Sequence, residues 1–79
     1  MKLTYDPKYN VAYIRFSEKA AQVDTIHISD ELNIDIAADG TVYGIELLNA
    51  NQQLAAADNG ELVVINEASG QSARVKLSA

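Results

Sequence analysis

Five side chains that could do chemistry fall at alternating positions within strand-like segments of this 79-residue sequence. They are Tyr13, Arg15, His27, Asp35 and Glu46. A histidine titrates near neutral pH and carboxylates are hard oxygen ligands, so one imidazole beside two carboxylates could transfer protons or hold a divalent metal ion. These five residues therefore form the candidate ligand-binding set, provided that the fold brings them together.

The same residues also have a purely structural interpretation, which we favour. An antiparallel sheet with one face in water carries polar side chains on that face. Arg15 is expected to pair with Asp35 or Glu46 rather than to clamp a substrate, and an exposed pair of this kind contributes roughly 0–1 kcal/mol. His27 is the only histidine, so a second imidazole to complete a typical metal site is missing. The sequence thus predicts no catalytic residue, no metal ligand and no cofactor.

Apolar residues recur at every second position, which is the period of a half-buried strand. This pattern predicts the elements that would position these side chains. The pattern predicts a mainly β protein of the α+β class. It consists of a five-stranded antiparallel meander over residues 1–48, a short helix over 49–58 and a C-terminal β-hairpin over 61–78. The helix is expected to begin at Asn49 or Asn51, both favourable capping residues. All 79 residues are expected to form a single domain.

Turn sequences predict the strand register, because a slip of one residue exchanges the two faces of a strand. Asp39-Gly40 is a strong signal for a hairpin with a two-residue loop. The strand pairs that follow are Leu32–Leu47, Ile34–Ile45 and Ile36–Tyr43 on an apolar inner face, and Asn33–Glu46 and Asp35–Gly44 on a polar outer face.

The preceding hairpin is predicted to have a three-residue loop over residues 29–31, since a two-residue loop would turn His27 onto the apolar face. This loop pairs Ile28 with Leu32. In a meander the next neighbour is the strand that contains residues 11–16, and the same alternation places its polar members, Tyr13 and Arg15, on the outer face.

Gly44 lies in the middle of a predicted strand, where glycine often marks a bulge or a close approach by another group. In the predicted register its missing side chain leaves a notch that faces Asp35. We expect a neighbouring aromatic ring such as Tyr13, or a partner chain, to fill this notch rather than a small ligand.

Length and composition restrict the possible partners. A net charge of −5 disfavours nucleic-acid binding, which depends on cationic side chains. No apolar run approaches the roughly 20 residues of a membrane span, and no signal-peptide pattern is seen at the start, so neither a membrane protein nor a secreted one is expected. The chain contains no cysteine, and a cytoplasmic location is expected. A chain this short forms a modest core, so a homodimer is favoured; the C-terminal hairpin either folds over its own sheet or pairs with a second copy.

Three segments resemble a known family. They read "MKLTYDP", "VAYIRFS" and "DIAADGTVYGIELLNA", and they occur in the order that is typical of the bacterial family called domain of unknown function 2283. The resemblance covers residues 1–54. It implies a compact β-meander, and it implies no activity, catalytic residue or cofactor, because none is established for the family.

Two classes of function remain open from the sequence. The favoured one is a non-enzymatic protein-interaction or self-association module, which needs no special residues. The alternative is a small-molecule or metal-binding protein that uses the polar outer face. By analogy alone, an antitoxin-like role as partner of a neighbouring protein is also conceivable.

Overall fold

The computed structural model describes residues 1–17 and 22–77, with the backbone alone described for residues 55–58. It contains seven strands and one helix in these residues. In chain order they are β1 (Lys2–Asp6), β2 (Val11–Arg15), β3 (Val23–Ser29), β4 (Leu32–Ala37), β5 (Val42–Leu48), α1 (Ala50–Asp58), β6 (Glu61–Ile65) and β7 (Ser72–Lys76). The predicted composition of five antiparallel strands, a short helix and a C-terminal hairpin is confirmed; the predicted hairpin end at residue 78 lies outside the described residues.

The strand order differs from the predicted meander. The first five strands form one antiparallel sheet in the order β1-β2-β5-β4-β3, so β2 pairs with β5 and not with β3. Alternation determines which side of a strand faces inward, but it does not determine which strand lies beside it. In the sequence β2 ends at Arg15 and β3 begins only at Val23, and β5 has the apolar residues Ile45, Leu47 and Leu48 that suit a central strand.

The residues on each face of the sheet are nevertheless those predicted, because apolar and polar residues alternate in β5 in the same way as in β3. Ile14 pairs with Ile45, and Tyr13 pairs with Glu46. The inner face of β2 is therefore continuous with that of β5, and Tyr13 lies on the outer face.

The hairpin of β4 and β5 has the predicted register in its central part and a longer loop than predicted. Ile34 lies opposite Ile45 and Asp35 opposite Gly44, but Ile36 pairs with Val42 instead of Tyr43 across a β-bulge. The amide of Gly40 donates to the carbonyl of Ala37 at 3.0 Å, and Gly40 has a φ of 90°. A turn that ends in a left-handed glycine leads into such a bulge, so the loop has three residues rather than two.

The hairpin of β3 and β4 shows the opposite deviation. Ile26 pairs with Ile34 as predicted, but Ser29 pairs with Leu32 and a bulge falls between His27 and Ser29. The turn therefore contains two residues, 30 and 31, and His27 still stays off the apolar face. The bulge absorbs the residue that the prediction had assigned to the loop.

Helix α1 follows β5 and contacts β2 and β6. Asn49 occupies the N-cap position with a left-handed φ of 52° and without a side-chain cap bond, and the amide of Ala50 donates to the carbonyl of Asn10 at 3.1 Å. Ala12 and Ala50 are the buried hydrophobic residues of the part of the chain whose side chains are described. Two alanines make a very small core, so most inner-face side chains are only half-buried.

The C-terminal hairpin forms a separate two-stranded sheet that contacts α1 through β6. Its register places Leu62 opposite Val75 and Val64 opposite Ala73. These four residues therefore share one apolar face of the hairpin. The molecule as a whole is flat, with extents of 35 × 33 × 19 Å.

Candidate functional site

The outer face of the five-stranded sheet presents two rows of side chains that run across the strands. The pairings of β1, β2, β5, β4 and β3 align Thr4, Tyr13, Glu46, Asn33 and His27 in one row. They align Lys2, Arg15, Gly44, Asp35 and Thr25 in the next. All five candidate residues thus lie on one face, in adjacent rows.

Tyr13 covers Gly44. A Cβ built on Gly44 would overlap the hydroxyl oxygen of Tyr13 and the ring carbon that carries it. The ring therefore occupies the space that any side chain at position 44 would need. The expectation that an aromatic neighbour fills the notch at Gly44 is confirmed for Tyr13.

Asp35 receives hydrogen bonds on both carboxylate oxygens. The Tyr13 hydroxyl donates to Oδ2 at 2.5 Å, and the Thr25 hydroxyl donates to Oδ1 at 2.6 Å. These bonds, that from Thr25 first and that from Tyr13 second, hold the pKa of the Asp35 carboxyl below its usual range. The bond to Asp35 in turn raises the pKa of the Tyr13 hydroxyl, with burial and the charge of Asp35 as further causes.

A second chain of hydrogen bonds joins His27 to Glu46. Nδ1 of His27 lies 2.9 Å from Oδ1 of Asn33, whose Nδ2 donates to Oε1 of Glu46 at 2.9 Å. Asn33 thus links the histidine to the carboxylate and separates them by one side chain. Nε2 of His27 also lies 3.9 Å from a carboxylate oxygen of Asp30 in the adjacent turn.

Arg15 stacks on the ring of Tyr13, with its guanidinium carbon 5.7 Å from the ring centroid. Within residues 1–17 and 22–77 the ion pair made by an arginine or lysine is Arg74–Glu61, so the predicted pairing of Arg15 with Asp35 or Glu46 is wrong. A cation over an aromatic face is a favourable alternative to a surface ion pair.

The outer face is thus a network of side chains bonded to one another. Of the five candidates, Tyr13, Arg15 and Asp35 contact directly, while His27 and Glu46 are joined through Asn33. Thr25, which bonds Asp35, was missed as a candidate, although its position next to inward-facing Ile26 would have placed it on the outer face. Among the described residues, no three His, Asp or Glu side chains are grouped to hold a metal ion.

The inner face has a different character because large apolar side chains remain in contact with water. Phe16 and Ile26 are each 44% exposed and Ile28 is 54% exposed. Two of these residues belong to β3, the edge strand farthest from β1. The apolar cover is therefore missing mainly on the β3 side of the sheet.

The C-terminal hairpin covers the β1 side of the inner face incompletely. An apolar cavity of about 270 Å³ separates Leu62 and Val64 of β6 from Leu3 and Ile14 of the sheet, with Met1 at its margin. Val64 remains 58% exposed and Val75 on β7 54% exposed. Apolar residues of the hairpin and of the sheet thus line a cavity between them.

These features define a small α+β protein with a bonded polar sheet face, an open apolar sheet face and an appended hairpin. The chain matches the family described as "Protein of unknown function (DUF2283)" over residues 2–51, and it belongs to that family. The match confirms the resemblance seen in the three sequence segments. No curated protein and no solved structure matches the chain. In the part of the chain that the structure describes, no helix has the length and apolar character of a membrane span.

Proposed function

We propose that this protein is a non-enzymatic interaction module that associates with itself, and that two copies meet through the apolar inner face of the five-stranded sheet. The observation that carries the proposal is the incomplete cover of this face. Phe16, Ile26 and Ile28 are large apolar residues that share it and remain between 44% and 54% exposed. Large apolar side chains exposed together on one face are typical of an interaction surface.

The dimensions of the protomer support the same conclusion. It exposes 5907 Å² of accessible surface, whereas a compact chain of this length exposes about 4,700 Å². Its radius of gyration is 13.9 Å, compared with about 12 Å for a compact domain of 79 residues. The excess surface of roughly 1,200 Å² per chain has the size that a stable dimer buries on each side.

These features favour a second copy of the chain as the partner that covers the inner face. The same chain presents two apolar surfaces, the β3 side of the sheet and the face of the hairpin that contains Val64 and Val75. A twofold axis lets each surface of one copy cover the other surface of its partner, so neither is left exposed. The net charge of −5 disfavours a nucleic-acid partner, and a chain without cysteine suits a cytoplasmic dimer.

Sedimentation equilibrium of the full chain tests the proposal, and the expected mass is twice that of the protomer. The informative variant is Ile28→Lys, because Ile28 is exposed in the protomer and becomes buried in the proposed dimer. A buried lysine charge should weaken dimerisation by more than about tenfold, while the circular dichroism spectrum stays unchanged.

The matched control is His27→Lys, which places the same side chain one residue away on the outer face of the same strand. We expect this variant to remain a dimer. A monomeric parent chain over the whole accessible concentration range would refute the proposal. Equal weakening by both lysine variants would assign the contact to the edge of β3 and not to the inner face.

A further inference from the structure

Strands β1 and β2 present three cross-strand pairs on the outer face of the sheet, and one of these pairs consists of two cations. The register pairs Lys2 with Arg15, Thr4 with Tyr13 and Asp6 with Val11. Like charges directly opposite each other destabilise a sheet. Within residues 1–17 and 22–77 no carboxylate forms an ion pair with Lys2 or Arg15. The two positive charges are therefore placed where an anion from outside the chain would neutralise them.

A cavity of about 170 Å³ lies beside this pair of cations. Its lining residues are Lys2, Thr4, Tyr13 and Arg15. Tyr13 leaves the space open because its ring covers Gly44 and its hydroxyl bonds Asp35, both on strands that lie away from β1. The hydroxyl of Thr4 donates to the carbonyl of Tyr13 at 3.5 Å, which is long for a hydrogen bond, so this hydroxyl can turn towards a ligand.

Three carboxylates share the outer face with these cations, and each accepts hydrogen bonds from other groups. Asp35 accepts two hydroxyl bonds, and Glu46 accepts a bond from a side-chain amide of β4. Both belong to β4 and β5, whereas the cavity lies over β1 and β2. Asp6 lies about 13 Å from Lys2 along β1, and its Oδ1 accepts two backbone amides of the following turn. These carboxylates therefore do not supply the ion pair that the two cations lack.

A second, larger cavity continues the first along the same hairpin. Its volume is about 440 Å³, and it also has Thr4 and Tyr13 in its lining. Pro7 and Val11 are among its apolar lining residues, and Asp6 is its one charged residue. The two cavities form a groove over β1 and β2 with a cationic end and a largely apolar end. Sites for small molecules commonly combine an apolar lining with a few polar groups that fix the orientation of the ligand.

From this arrangement we propose that the groove over β1 and β2 binds a phosphate monoester. The phosphoryl group lies between Lys2 and Arg15 and accepts the hydroxyl of Thr4, and the organic group lies in the larger cavity against Val11. Arginine and lysine both donate charge-assisted hydrogen bonds to phosphate oxygens, and a doubly charged phosphoryl group matches two cations better than a carboxylate does. The groove lies on the sheet face opposite the proposed contact between copies, so either proposal can fail alone.

An NMR titration of the isotope-labelled full chain with phenyl phosphate tests the proposal, at a pH above the second phosphate pKa of about 6. The backbone amide signals of β1 and β2 should shift most and should saturate together. Lys2→Gln and Arg15→Gln should each weaken binding at least about tenfold, because each removes a charge-assisted hydrogen bond. The matched control is Lys8→Gln, which removes the same charge from the same hairpin outside the lining of the groove. Its affinity should stay within about twofold of the parent value, since exposed charges at a distance are screened by salt.

Two further probes separate the parts of the proposal. Benzenesulfonate has the same ring and a single negative charge, and it should bind more weakly than phenyl phosphate; equal affinity overturns the assignment of a phosphoryl group. Inorganic phosphate should also bind more weakly, because it leaves the larger cavity empty; equal affinity overturns the placement of the organic group.

Two results overturn the proposal as a whole. One is the absence of amide shifts in β1 and β2 at phenyl phosphate concentrations up to about 10 mM, well above the Kd of a weak specific ligand. The other is equal weakening by Lys8→Gln and Lys2→Gln, which would indicate a general attraction of anions to exposed cations. If Arg15→Gln fails to fold after losing its stacking on Tyr13, Lys2→Gln at its exposed position decides by the same criteria.

Discussion

The two faces of the five-stranded sheet are built from adjacent residues of the same strands, yet their side chains differ in how completely they find partners within the chain. The centre of the outer face is self-contained, since Asp35 and Glu46 each accept hydrogen bonds from neighbouring side chains and Tyr13 fills the space at Gly44. The inner face leaves Ile26 and Ile28 exposed. Polar side chains can be satisfied locally by cross-strand partners, whereas an apolar face needs a second layer.

The largest loss of stability should come from a substitution on the inner face of β4. Ile34 lies on the inner face between Ile26 and Ile45, so Ile34→Ala should lower the free energy of unfolding by about 2–4 kcal/mol. Urea unfolding at several protein concentrations measures this loss. If the face is shared between two copies, the unfolding midpoint of the parent chain should rise with protein concentration. A midpoint independent of concentration, with a loss below about 1 kcal/mol for Ile34→Ala, would contradict that picture.

Gly44→Ala tests the packing on the outer face. The added Cβ meets the hydroxyl and ring of Tyr13, which must rotate away and lose its bond to Asp35. We expect a loss of about 1–3 kcal/mol in the free energy of unfolding, as for other overpacked sites. The control is the same substitution in a Tyr13→Ala background, where the loss should largely disappear; an equal loss in both backgrounds would show that Tyr13 is not the obstacle.

Asp35→Asn should have a smaller effect, about 1 kcal/mol, because it removes the charge that Tyr13 and Thr25 stabilise while it keeps the shape of the side chain. The pKa of Asp35 is lowered in the folded state, so its contribution is complete above the unfolded pKa of about 4 and is lost as the pH falls through the folded value. Unfolding measured from neutral to acidic pH should therefore bring the parent and Asp35→Asn curves together at low pH. Curves that stay parallel would contradict this role.

The hydroxyl of Tyr13 allows a corresponding test of stability at alkaline pH. Its folded pKa is raised, so its contribution to stability is complete below the unfolded value of about 10 and is lost as the pH rises through the folded value. Ultraviolet titration should show a late tyrosinate step that belongs to Tyr13. This late step should be absent in Tyr13→Phe and shift towards lower pH in Asp35→Asn.

His27→Gln should have the smallest effect, within about 0.5 kcal/mol, since His27 is an exposed residue whose bond to Asn33 a glutamine can replace. Urea unfolding at neutral pH measures the difference from the parent chain. A loss well above about 0.5 kcal/mol would show that the outer face depends on His27, and would direct ligand tests to that face.

Much of the sheet could be predicted from the sequence because its cues are local. Alternation placed Tyr13, Asp35 and Glu46 on one face, and the Asp-Gly turn led to the correct pairing of Asp35 with Gly44. The bulges that changed both loop lengths were not predictable, since one extra residue can be absorbed by the strand or by the turn at similar cost. The stacking of Arg15 on Tyr13 was missed for a related reason: face and register do not specify a rotamer.

The sequence by itself determined the alternation of the strands, the two opposed faces, the family and the need for a second apolar layer. Only the tertiary structure decided that β5 lies between β2 and β4, that Tyr13 covers Gly44, and that the hairpin stands apart from the sheet. The physical reason is the range of the interactions. Side-chain periodicity and turn preferences act over a few residues, whereas strand order and layer packing depend on surfaces that meet after the chain has folded.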